Sequence, residues 1–142
     1  MTRQDASDLF GRRHVERYRE TDGEHGHDWR HGSSTLLLTT TGRRSGQPHT
    51  SPLIYGRHGD DYLVVASKGG SDAPPAWYVN VTAHPDVDVQ VLGDRFRAHA
   101  RTATPEEKPE LWRTMAEIWP AYEEYQGKTD REIPVVVLER SE

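Results

Sequence analysis

Strict apolar–polar alternation in Val87-Asp88-Val89-Gln90-Val91, a Gly93-Asp94 turn, and a second alternating run from Arg95 to Arg101 commit this stretch to a β-hairpin with one wet face. Only a period of two puts Val87, Val89, Val91, Phe96, Ala98 and Ala100 on one side; helical spacing would scatter them. The remaining extended runs are as short and as clearly bounded. Thr35–Thr41 joins three leucines to three threonines, and residues 51–56 read as its return strand. Pro52 inside that return run points to a sheet edge, because proline cannot donate to a ladder. Residues 62–67 form a buried strand ending at Lys68-Gly69-Gly70, and residues 133–139 supply the last strand.

Helical signals are fewer. Residues 7–19 read as a short helix, with Ser7 or Asp5 as its cap. Residues 76–83 follow Pro74-Pro75 and stop at Pro85. Thr104-Pro105-Glu106-Glu107 opens a helix whose Leu111, Met115, Ile118 and Tyr122 recur at three- and four-residue steps. Pro120 removes a backbone donor there, so a kink or a fresh turn is expected. The fold class is mainly β with flanking helices: about six antiparallel strands in a small barrel with helices outside. One domain is expected overall. Residues 1–34 form an N-terminal helix and a mobile loop; residues 35–142 form the barrel that carries the site.

Several function classes are excluded by composition. With 142 residues there is room for one core. A formal net charge of -5 argues against general nucleic-acid binding. The absence of cysteine removes disulfides and thiolate chemistry. His25, His27 and His31 cluster in a Gly-rich loop without the spacing of a ligand set on a rigid element, so no metal is expected. No apolar run is long enough to span a bilayer and no leader pattern is visible. A cytoplasmic protein is expected, with peripheral membrane contact through the N-terminal helix left open.

Charge is distributed unevenly. No acidic residue lies between Asp28 and Asp60, an interval that holds Arg30, Arg43, Arg44 and Arg57. An acidic protein with one basic region suits a small anionic ligand. At its centre Gly42 and Gly46 bracket Arg43-Arg44-Ser45, so that backbone N–H groups and two forked guanidinium donors face an anion. Taken alone, the same residues also suit a solvated hairpin turn. Ala66-Ser67-Lys68-Gly69-Gly70 places a hydroxyl, a cation and two glycines at a strand end. Trp77 and Asn80 share one helical turn. Trp119, Tyr122 and Tyr125 recur at three-residue steps around Pro120, where phenols can donate to a substrate oxygen. No Ser-His-Asp spacing is present.

Leu38-Thr-Thr-Thr-Gly-Arg-Arg-Ser-Gly, Val65-Ala-Ser-Lys-Gly-Gly, Pro75-Ala-Trp-Tyr-Val-Asn and the run from Tyr122 through Thr129-Asp-Arg-Glu-Ile-Pro-Val resemble, in order, motifs of the deazaflavin-dependent nitroreductase family. The resemblance spans residues 35–138. It implies a split β-barrel of the kind that binds FMN in pyridoxamine-phosphate oxidases, and reduced coenzyme F-420, an 8-hydroxy-5-deazaflavin with an anionic tail. Implied cofactor contacts are Arg43, Arg44, Ser45 and His49 at the tail; Thr50, Ser51, Pro52, Leu53 and Ile54 along the ring strand; Ala66, Ser67, Lys68 and Gly69 in the next loop; Ala76, Trp77 and Asn80 on the closing helix; and Tyr122. Ser67, Tyr122 and Tyr125 are the implied catalytic residues, and Trp119 belongs to the substrate pocket. His49 stands where the family commonly carries Arg or Lys, and Trp119 where some members carry Tyr.

The implied reaction is hydride transfer to an activated alkene, enone or quinone, with nitro compounds as a further class. Ser67 or Tyr125 would hydrogen-bond the developing oxyanion, and the proton would come from Tyr125 or water. Two other readings fit the residues: an FMN oxidoreductase on a related barrel, and a non-enzymatic deazaflavin or quinone carrier. Both a monomer and a homodimer are compatible with the sequence.

Overall fold

A computed structural model describes residues 3–141; residues 1, 2 and 142 of the two expected segments lie outside the described residues. Seven strands form one sheet: β1 (Thr35–Thr41), β2 (Pro48–Ile54), β3 (Gly56–His58), β4 (Asp61–Val65), β5 (Asp86–Val91), β6 (Asp94–Thr102) and β7 (Val135–Arg140). Their order is β2-β1-β5-β6-β7-β4-β3, and every ladder is antiparallel. Four α-helices flank it: α1 (Gly11–Thr21), α2 (Ala76–Ala83), α3 (Lys108–Ile118) and α4 (Ala121–Gly127). This is the expected curled, half-open barrel.

The seventh strand arises at Tyr55. A single return strand was expected over residues 51–56. The chain instead pairs with β1 through Ile54, turns, and pairs with β4 from Gly56 onward. One β-prone run thereby supplies both edges of the curled sheet. A change of partner is a tertiary event that leaves no local signature. Gly56 is required at this corner, since a Cβ there would lie 2.6 Å from Met115 Sδ and 2.9 Å from Ile118 Cδ1. Pro52 does sit on an edge strand, as expected, opposite Leu37.

Alternation builds the core. Tyr62 and Val64 on β4 join Leu36, Leu38, Val89, Phe96, Val136 and Leu138 inside the barrel. Their neighbours Leu63 and Val65 point the other way, onto Leu111, Met115 and Tyr122 of α3 and α4. The period-two pattern of β4 and β7 is thus apolar on both faces, because helices cover the second one. The cap read at Thr104 forms: Thr104 N donates to Glu107 Oε1 at 2.8 Å, and Glu107 N to Thr104 Oγ1 at 3.3 Å. Helix α3 itself begins one turn later, at Lys108. Pro120 ends it as expected, and α4 starts afresh.

Helix α1 begins at Gly11 rather than Ser7, after a short turn in which Asp5 Oδ1 accepts from Ser7 N. It packs Val15 and Tyr18 against Leu37 on the outer sheet face. The segment after it, read from sequence as a mobile loop, is fastened at several points. Tyr18 Oη donates to Thr35 O and accepts from Leu92 N. His27 bridges Asp28 Oδ1 at 2.7 Å and Tyr55 Oη at 2.8 Å. His14, buried, has Nε2 at 2.7 Å from Gly26 O. Burial holds the His14 imidazole below its ordinary range, partly offset by that hydrogen bond. The unfolded chain therefore binds the extra proton more readily than the folded one. Stability conferred by neutral His14 is complete above the unfolded value of about 6.5 and falls as pH drops below it. Urea unfolding at pH 7.5 and pH 5.5 should show a loss at the lower pH that His14→Gln shrinks. Among the described residues, no helix is long and apolar enough to cross a membrane.

Candidate functional site

The open side of the half-barrel carries one continuous cleft in two compartments that share Pro52 and Trp77. The larger, of about 1120 Å³, runs between α1, the β1–β2 turn, β2 and α2. Arg43, Arg44, Ser45, His49, Thr50, Ser51, Ala76 and Asn80 all line it. The smaller, of about 280 Å³, lies between Leu53 and Ile54 of β2, the β4 end, and α4. Ser67, Lys68, Gly69, Trp119, Tyr122 and Tyr125 meet there. Of the cofactor, catalytic and substrate residues that the family resemblance implies, Ala66 alone lines neither compartment. It is fully buried, and its carbonyl oxygen accepts from Arg131 Nη2.

The basic turn is held from below. Asn80 Oδ1 accepts from Arg43 N, and Asn80 Nδ2 donates to Thr40 Oγ1, both at 3.0 Å. Asn80 therefore spends its amide fixing the turn against α2 and leaves the Arg43 and Arg44 side chains to the cleft. A Cβ on Gly42 would run into Ser45 Oγ and come within 2.9 Å of His49 Nε2, so both side chains fold close over the turn. Neither arginine is ion-paired among the described residues. Arg12 and Arg19 of α1 add two further cations to the same compartment, and Glu16 is its one lining carboxylate among the described residues. Arg19 Nη2 donates to Thr50 Oγ1 at 2.8 Å, which in turn lies 2.7 Å from Thr39 Oγ1.

The second compartment is organised by a residue that no spacing argument assigned. Arg131 donates through Nε to Ser71 O at 2.7 Å and through Nη2 to Ser67 O at 2.9 Å and Ala66 O at 3.2 Å. That grip sustains a left-handed run at Lys68, Gly69 and Gly70, with φ of 45°, 63° and 86°. Lys68 is a strained position for a side-chain-bearing residue. A Cβ on Gly70 would lie 2.7 Å from Tyr125 O, so glycine lets α4 close onto the loop. The Ser67 hydroxyl has no hydrogen-bond partner among the described residues and lines the cleft. Burial, reinforced by the Tyr125 ring at 6.1 Å, pushes the Tyr122 phenol far above its usual range. Tyr122 is thus a neutral donor and no base.

Trp29 was also missed. It comes from the N-terminal segment, lines the smaller compartment, and stacks on Trp119 at 5.7 Å between centroids and 21° between planes. A lone tryptophan in a Gly- and His-rich loop was the one signal for it.

An elongated cleft with unpaired cations at one end and aromatic rings and hydroxyls at the other, on a split barrel, defines a class: a binder of a flat ring carrying an anionic tail. The chain belongs to the F420H(2)-dependent quinone reductase family, whose model matches residues 9–140. An F420H(2)-dependent quinone reductase of Mycobacterium tuberculosis is 44% identical over 126 residues, covering 87% of this chain and 85% of that protein. A solved structure described as a domain-swapped dimer superposes with a TM-score of 0.72 at 42% identity, over 88% of this chain and 93% of that one. A pyridoxamine 5'-phosphate oxidase-like protein of Listeria innocua shares the fold alone, with a TM-score of 0.55 at 16% identity over 76% of this chain and 84% of that one.

Proposed function

We propose that this protein is an F-420-dependent quinone reductase whose cleft holds the cofactor tail at Arg43 and Arg44 and the reacting ring beside Ser67. The observation that carries this is the polarity of the cleft within a family named for that reaction. The donor set fits the group: unpaired guanidinium groups and turn amides for phosphate and carboxylates, and an aromatic, hydroxyl-bearing compartment for the ring. When bound, reduced F-420 supplies the hydride.

The chain's own residues bind, orient and donate. Arg43, Arg44, Ser45 and His49 would hold the anionic tail, and Pro52, Leu53 and Ile54 would line the ring's compartment. Ser67 Oγ and the Tyr122 and Tyr125 phenols offer hydrogen bonds to a quinone oxygen as negative charge builds on it. Tyr125 or water returns the proton. Enones and activated alkenes place a carbonyl oxygen in the same position. Nitro compounds rest on the family resemblance alone. A small-molecule acceptor and a cytoplasmic setting follow. The dimeric relative supports a homodimer, and Phe10, 68% exposed just before α1, supports contact of that end with a lipid surface.

Anaerobic oxidation of reduced F-420 with menadione or cyclohexenone as acceptor tests the reading. Wild-type protein is expected to turn over, and the Ser67→Ala, Tyr125→Phe double variant to lose about 100-fold in kcat, as removal of oxyanion donors does. Unchanged kcat in that variant would remove both residues from the chemistry.

A further inference from the structure

The N-terminal segment forms a strap across the whole cleft. Helix α1 walls the basic compartment through Arg12, Val15 and Arg19. Beyond the α1 end the chain turns back and delivers Trp29 to the ring compartment. We propose that Trp29 is a specificity-determining residue: stacked behind Trp119, it holds that indole as a rigid flat face that favours planar, fused-ring quinones over puckered alicyclic acceptors. The inference rests on the reductase reading above and names the substrate class of the same site.

Three observations carry it. The wall is backed, because the Trp29 indole stacks on Trp119 at 5.7 Å and His31 lies 5.5 Å from the Trp119 ring. It is also built in advance. Trp29 Nε1 donates to Leu9 O at 2.8 Å, the Arg30 guanidinium sits 4.7 Å from the Trp29 ring centroid, and Trp29 N donates to Ser33 O. The strap behind it is latched on both sides by His14 to Gly26 O and by His27 to Tyr55. Left-handed backbone at His31, with φ of 56°, brings that ring back toward Trp119. The wall also faces the right neighbours, since Trp29, Trp119, Tyr122 and Tyr125 line the compartment that contains Ser67. Offset stacking on such a surface rewards a flat ring system and gives little to a non-planar one.

The test has a binding arm and a turnover arm. Menadione is titrated by calorimetry into protein loaded with oxidised F-420, where no turnover occurs. Trp29→Ala is expected to weaken menadione binding about 10-fold, and Trp29→Phe to restore most of it. In turnover, the ratio of kcat/KM for menadione to that for 2-cyclohexenone should fall about 10-fold in Trp29→Ala and recover in Trp29→Phe. A merely structural role would lower both acceptors together and leave the ratio alone. Wild-type affinity in Trp29→Ala, or an unchanged ratio, overturns the proposal; if Trp29→Ala does not fold, a Trp29→Leu variant with undiminished menadione affinity does so. Should wild-type protein bind menadione but leave reduced F-420 unoxidised, the reductase reading fails and the binding arm still decides the role of Trp29.

Discussion

Replacing Arg43 and Arg44 together by alanine should raise the Kd for F-420 about 100-fold or more. Hydrogen bonds to charged groups contribute about 1.5–3 kcal/mol each, and two of them lost together reach about 3 kcal/mol even at the low end. The effect should sit in cofactor affinity, with kcat at saturating cofactor falling far less, because neither guanidinium reaches the compartment that holds Ser67. Salt should weaken wild-type binding more steeply than it weakens binding by the variant. The turn itself should survive, since Asn80 grips it through the Arg43 backbone and not through either side chain. Titration of tryptophan fluorescence at two salt concentrations measures the affinities and salt slopes, and steady-state turnover at saturating cofactor measures kcat. Equal salt slopes in the two proteins would place the anion elsewhere.

Tyr18→Ala should cost about 3–5 kcal/mol of stability, the range for truncating a fully buried aromatic side chain. Tyr18 is wholly shielded from solvent, and its ring is the surface on which the strap turns: a Cβ on Gly26 would lie 2.7 Å from its Cδ2. Its hydroxyl joins Thr35 O at 3.1 Å to Leu92 N at 2.8 Å, tying β1 to the β5–β6 turn. Tyr18→Phe, which keeps the ring and orphans both backbone groups, should cost about 1–3 kcal/mol. Urea unfolding of the three proteins gives the comparison. A Tyr18→Ala protein as stable as wild type would mean that α1 and the strap are not part of the cooperative fold.

The parts of the fold legible in the sequence are those whose cause is local. Alternation from Val87 to Arg101 gives the β5–β6 hairpin, with a wet face carrying Asp86, Asp88, Arg95 and Arg97. Proline at 75 and at 120 sets the start of α2 and the break before α4, because a missing donor acts wherever it stands. The cleft was legible to the extent that its residues fall in short runs, as in Arg43-Arg44-Ser45 and Ser67-Lys68-Gly69. What escaped was relational. Tyr55 marks a change of strand partner, Arg131 acts on carbonyls 60 or more positions away, and Trp29 meets Trp119 across 90 residues of chain. Asn80 is implied as a cofactor residue by its place on the closing helix; in the fold it lines the larger compartment and its amide also engages Thr40 and Arg43, so it supports the turn as well. Nothing in residue type or spacing distinguishes those two uses of one amide.

The central claim is that this cleft is a deazaflavin site. Quenching of intrinsic tryptophan fluorescence tests it most directly, because Trp29, Trp77 and Trp119 all line the ring compartment. Titrated F-420 should quench saturably at micromolar concentration, with FMN at least about 10-fold weaker, since it offers one phosphate and no carboxylates to Arg43, Arg44 and Arg12. Equal or tighter binding of FMN, or no saturable quenching by F-420, would contradict the account.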